Sequence, residues 1–137
     1  MFYLIYVSSA VKLMDNDELL TLLEQSREKN LRLGITGMLL YSEGNFMQML
    51  EGDRQVVLEL YDAIRNDYRH KGVMTIRSDN IEERNFEDWS MGFFNMDKVG
   101  EFPKYSDYIN KNLTLKSFRK DSHNAYRFMV AFHNINR

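Results

Sequence analysis

Residues 35–50 read ITGMLLYSEGNFMQML, two apolar runs joined by the turn-forming SEGN, which is the pattern of a β-hairpin. A hairpin makes two antiparallel neighbours, so every other element must be arranged around that pair. Upstream, residues 2–8 (FYLIYVS) are aromatic and β-branched and predict a buried strand. Between them Asp15, with Glu18 three residues on, resembles a capping box, and Leu19, Leu20, Leu22 and Leu23 give a one-sided helix to about Lys29. Gly34 breaks that pattern. Beyond the hairpin, Val57, Leu60, Tyr61 and Ile64 recur at helical spacing within a helix over about 54–68, which Gly72 stops. Residues 73–81 and 89–95 (WSMGFFN) predict a fourth and a fifth strand.

The order β-α-β-β-α-β-β predicts an α+β, ferredoxin-like fold with a five-stranded sheet. Right-handed crossovers put both helices on one face. Residues 104–137 lack strand alternation and hold two aromatic-rich stretches, including Tyr105, Tyr108 and Phe118, then Tyr126, Phe128 and Phe132. Two C-terminal helices on the sheet's other face are expected from them, because a bare apolar sheet face needs a cover. The expected organisation is a domain over 1–96 and a helical extension over 97–137, packed as one unit.

The 137 residues suit one domain, and a net charge of -2 lacks the basic excess of a nucleic-acid module. Zero cysteines remove a disulfide scaffold, a thiolate metal site and a cysteine nucleophile, and suit a reducing compartment. His70, His123 and His133 are scattered, so no metal is expected. No apolar run approaches the ~18 residues of a membrane span, and the apolar start lacks a basic leader. A cytoplasmic protein with no membrane contact is the resulting expectation.

The informative residues are polar ones on apolar faces. Strand alternation puts Phe46, Gln48 and Leu50 on one face, so Gln48 is an amide between apolar neighbours. An unpaired buried amide costs about 1–3 kcal/mol, so Gln48 needs partners. Phe2, Leu4, Tyr6 and Ser8 share a face of the first strand, and Tyr6 meets Gln48 in one layer if the first and third strands pair. Asn30 stands where the first helix should end, either as its C-cap or as a second amide above that layer. Amides both donate and accept, which suits a ligand edge with alternating donors and acceptors, such as a nucleobase or the pyrimidine side of an isoalloxazine. Arg69, His70 and Lys71 either answer the helix dipole or neutralise a phosphate. Trp89, Met91 and Phe93 share one face of the fifth strand and by composition are core.

Taken in order, LIYVS with Tyr6 and Ser8, SREKN with Asn30, GITGMLLY, GNFMQMLEG with Gln48, DYRHKG with Arg69 and His70, and RNFEDWSMGF with Trp89 and Met91 resemble the BLUF family of flavin-using blue-light sensors. The resemblance covers about residues 1–96. It implies a non-covalent flavin between the two helices, FAD or alternatively FMN, with Tyr6, Ser8, Lys29, Asn30, Gln48, Ile64, Arg69 and His70 as cofactor-binding residues. Asn30 would bond the pyrimidine edge, Gln48 would lie between Tyr6 and the ring, and Arg69 and His70 would stand near the ribityl phosphate. Many members carry an amide or histidine before the matched Asn, whereas this chain has Lys29, which when charged accepts no hydrogen bond.

The implied activity is photochemical and not enzymatic. Tyr6 gives up an electron and a proton, Gln48 returns rotated or tautomerised, and Trp89 and Met91 relay the change to the C-terminal helices. Output would pass to an unknown downstream protein or through a homo-oligomer. The rival reading is a ferredoxin-like module that binds a small ligand or a protein without photochemistry. An enzyme acting on acyl phosphates fits less well, since the Arg-rich turn at 67–71 has no Asn partner in the first loop.

Overall fold

The structure is a computed structural model that describes residues 1–86 and 91–95. Trp89 and the two helices expected within 97–137 lie outside the described residues. The elements are β1 (Phe2–Ala10), α1 (Asn16–Leu33), β2 (Thr36–Ser42), β3 (Asn45–Gly52), α2 (Arg54–Arg65), β4 (His70–Asn80) and β5 (Gly92–Asn95).

Side chains at the helix starts set where the chain turns in. Glu18 N–H donates to Asp15 Oδ1 at 2.8 Å, and Asp15 N–H donates back to Glu18 Oε1 at 3.4 Å, completing the capping box. Asp53 caps α2 by accepting from the N–H groups of Gln55 and Val56. α1 ends at Gly34, whose φ of 69° is the left-handed conformation that glycine adopts at little cost. The helix therefore runs past Lys29, and Asn30 lies inside its last turn; the capping role belongs to Gly34.

α2 stops earlier than its periodicity suggests. Asn66 Nδ2 donates to the Asp62 carbonyl at 2.9 Å, and Asp67 Oδ1 accepts the Arg69 N–H at 2.9 Å, making a turn of residues predicted as helix. Arg69 thus sits in the connection and His70 opens β4. Gly72 lies within β4, with φ of 65°, where the β1–β4 pairing shifts register between Val7 and Ser9. It forms part of a bulge and does not end a helix.

β1, β2, β3 and β4 form an antiparallel sheet, and the sheet order is β4-β1-β3-β2-β5, with β5 parallel to β2. The order of the first four is that of a split βαβ unit. In register, Tyr6 and Leu39 both stand opposite Gln48, and Phe93 stands opposite Leu39. Leu19 and Leu23 from α1, with Val57, Leu60 and Tyr61 from α2, join Phe2, Leu4, Leu39, Phe46 and Leu50 in one core. Both helices therefore cover the same sheet face. At Gly37 a Cβ would fall 1.9 Å from the Met49 carbonyl oxygen, so the close approach of β3 requires glycine.

Candidate functional site

The β1–β3 register decides the site, because opposed residues in a sheet point to the same side. Tyr6 and Gln48 are 4% and 5% exposed and face the helices together. The Tyr6 hydroxyl donates to Gln48 Oε1, and Gln48 Nε2 donates to Met91 Sδ at 3.3 Å. These bonds answer the demand that an amide on an apolar face imposes. The result is a three-residue chain from β1 through β3 to the residue before β5. The amide nitrogen carries a second hydrogen for the cleft that Gln48 lines.

That cleft has a volume of about 260 Å³ and lies between α1 and α2. Its walls include Tyr6, Gln48, Asn30, Lys29, Ile64, Arg69 and His70, alongside apolar Leu22, Leu39, Phe46 and Leu60. Asn30 is 2% exposed, and Lys29 stands exposed at the rim. The fold thus gathers seven of the candidate residues at one cavity. Ser8 stands behind the wall: it is buried and lies 2.8 Å from His70 Nδ1. His70 Nε2 lies 2.5 Å from the Ile64 carbonyl, which can only accept. In the neutral ring the proton therefore sits on Nε2, and Nδ1 accepts from Ser8. Met91 also stands behind the wall, reached through Gln48.

Electrostatics separate the two ends of the cleft. Burial pushes the Tyr6 phenol far above its ordinary pKa, with smaller contributions from Tyr61 and Asp67, so the hydroxyl keeps its proton. The Tyr61 ring lies 5.4 Å from that of Tyr6, and its hydroxyl accepts from Thr75 Oγ1 at 2.7 Å. At the other end Arg69 is not a free cation. Its Nη2 pairs with Asp67 Oδ2 at 2.6 Å, and its Nη1 donates to Gln25 Oε1 at 3.2 Å. Hydrogen bonds from Arg69 hold the Asp67 carboxyl below the usual carboxylate value, against the opposing effect of burial.

Two side chains near the site were not singled out from the sequence. Glu51, fully buried in β3, accepts from Thr36 Oγ1 at 2.9 Å, Asn85 N–H at 2.8 Å and Phe86 N–H at 2.6 Å. Its signal was available: a carboxylate directly after an apolar strand run, in LEG. Arg27 Nε donates to the Met91 carbonyl at 3.0 Å, and no local pattern signals that contact.

The stretch that builds the cleft lies within a match to known proteins. The family model described as BLUF, sensors of blue-light using FAD, matches residues 1–92. Photoactivated adenylate cyclase subunit beta of Euglena longa is 33% identical over 109 residues, which is 79% of this chain and 13% of that protein. This chain therefore spans only a small part of the curated relatives it matches. The dark-state structure of BlrB, a BLUF protein, is similar with a TM-score of 0.69 and 30% identity, covering 91% of this chain and 93% of that one. BlrP1 of Klebsiella pneumoniae, solved with FMN and cyclic diGMP, gives a TM-score of 0.67 and 28% identity over 80% of this chain and 30% of that one.

Proposed function

The chain belongs to the BLUF family of flavin-based blue-light sensors, and from that premise we propose that FAD lies in the cleft between α1 and α2 and that light acts on the chain Tyr6–Gln48–Met91. The observation that carries this reading is the phenol bonded to a buried amide whose nitrogen reaches a methionine sulfur, at the wall of a helix-flanked cleft. The donor set fits a flavin. Asn30 and Gln48 offer two amides to a ring edge of mixed donors and acceptors, while Leu22, Leu39, Phe46 and Leu60 offer apolar walls to its faces. At about 260 Å³ the cavity lies just below the ~300–1,000 Å³ range of small-molecule sites, so it would hold the ring system rather than the whole dinucleotide. Lys29 and Arg69 line the cleft and are the cations that would answer a phosphate tail.

Bound flavin excited by blue light supplies an electron acceptor. Tyr6 is the donor, and a phenol that has lost an electron becomes a strong acid. Its proton has a ready acceptor along an existing bond, Gln48 Oε1. As the electron and the proton return to Tyr6, Gln48 would settle in a rotated or tautomeric form whose donor no longer points at Met91 Sδ. Both arrangements use the same atoms, so the gap between them stays within the few kcal/mol that a reversible switch needs. Leu39, Phe46 and Leu60 keep water away from this exchange.

Met91, with Trp89, hands the change on through the C-terminal extension over 97–137. The chain acts as a sensor without an enzymatic step of its own. It works in the cytoplasm and signals to a partner protein, or to a second copy of itself. The test is an absorption spectrum of the purified, FAD-supplied protein before and after blue illumination. The flavin band should move to longer wavelength and revert in the dark. A protein that takes up no flavin, or whose spectrum ignores light, overturns the reading.

A further inference from the structure

Arg27 stands on α1 one helical turn before Asn30 and reaches across to the residue preceding β5. Its Nε donates to the Met91 carbonyl at 3.0 Å, while Met91 Sδ accepts from Gln48 Nε2 at 3.3 Å. One residue is therefore held twice, its backbone by a guanidinium and its side chain by the amide of the Tyr6 chain. The two grips are unequal, because thioether sulfur is a weak acceptor and a cationic donor to a carbonyl makes a strong bond.

The guanidinium is poorly housed. Burial lowers its pKa, partly offset by Glu24, and its buried Nη2 has no hydrogen-bond partner among the described residues. An unpaired buried donor is destabilising, and an apolar side chain of similar size would escape that penalty. Stability alone therefore does not explain a cation at this position, whereas its strong bond to the Met91 carbonyl does.

We propose that Arg27 is a positioning residue of the light switch, retaining the Met91 backbone when the Gln48 amide turns away from the sulfur. This inference rests on the photoreceptor reading above. With Arg27 in place, Met91 stays beside an amide that no longer serves it, and the lit arrangement reverts readily. Without Arg27 the Met91 backbone loses its strong bond, and the weak sulfur contact is the polar grip that is left. The residue then moves off in the light, and the lit arrangement lives longer.

The test compares the full chain, loaded with FAD, with Arg27→Met and Arg27→Lys. The readouts are the light-minus-dark spectrum, the dark-recovery rate, the melting temperature and the emission of Trp89, the sole tryptophan. All three proteins should show the red shift. Arg27→Met should recover about tenfold more slowly, the equilibrium weight of one charge-assisted hydrogen bond. It should also show a larger light-driven change in Trp89 emission with no fall in melting temperature, and Arg27→Lys should lie nearer the native protein. If Arg27→Met does not fold, Arg27→Gln, which keeps a shorter neutral donor, is read by the same rates. Recovery at the native rate in the neutral variant, or equal behaviour of the neutral and lysine variants, overturns the role of Arg27 alone. A native protein that holds FAD and ignores light overturns the photoreceptor reading and this one with it.

Discussion

Tyr6 keeps its proton because burial, far more than any neighbour, disfavours the phenolate. Acid–base equilibrium in the dark therefore does not move this proton, whereas oxidation of the ring does. Tyr6→Phe keeps the ring and removes the hydroxyl. It should retain FAD and lose the light-induced red shift, which difference spectra will read. It also strands Gln48 Oε1, so a urea titration should show a loss of about 1–3 kcal/mol. Asp67 gives a different pH signature. Its folded pKa lies below the ordinary 3.8 because Arg69 bonds the carboxylate, so its contribution to stability is complete above that value and is lost as pH falls below it. Asp67→Asn should flatten the fall in stability on that acid side, as measured by denaturant melts across pH. The same change removes the ion pair that neutralises Arg69 and should tighten FAD binding through the phosphate tail.

The elements meet the site through clamps that span them. Glu51 is three residues beyond Gln48 on β3, and its carboxylate takes backbone N–H groups from Asn85 and Phe86 as well as the Thr36 hydroxyl. Arg84 closes the same knot, donating to Thr36 Oγ1 at 2.8 Å, the Gly34 carbonyl at 2.8 Å and the Glu51 carbonyl at 3.2 Å. This ties the segment after β4 to the ends of β2 and β3. Glu51→Gln preserves shape but turns one acceptor into a donor facing donors. A cost of about 2–4 kcal/mol is expected from equilibrium unfolding, in line with the loss of one member of a buried charged network. A change near zero would show that water replaces the lost acceptor.

At the scale of the molecule the cleft lies between two helices that both pack on the sheet beneath them. A ligand bridging α1 and α2 stabilises the fold by mass action alone. FAD at a hundredfold excess over its Kd should add about 2.7 kcal/mol, visible as a rise of several degrees in melting temperature. An unchanged melting temperature under saturating FAD would place the flavin elsewhere or nowhere.

The alternation of residues 2–8 and 35–50 and the helical spacing of the leucines were enough to predict β1, the hairpin and both helices. Burying one face of an element writes its period into neighbouring residues. The same parity put Tyr6 and Gln48 on one face once β1 and β3 were paired. Asn30 was visible as an anomaly but misplaced at the helix end, because the choice of Gly34 as the cap depends on a backbone conformation that composition only suggests. Arg27 on Met91 and Glu51 on Asn85 and Phe86 were not legible. Those contacts join residues 64, 34 and 35 positions apart, and a lone charge in sequence reads as solvated until the chain brings its partner. Periodicity is a local record of which side is dry, so the sequence by itself determined the elements and the faces they bury. Which polar groups end up sharing that dry side is decided only when the strands and helices close over it.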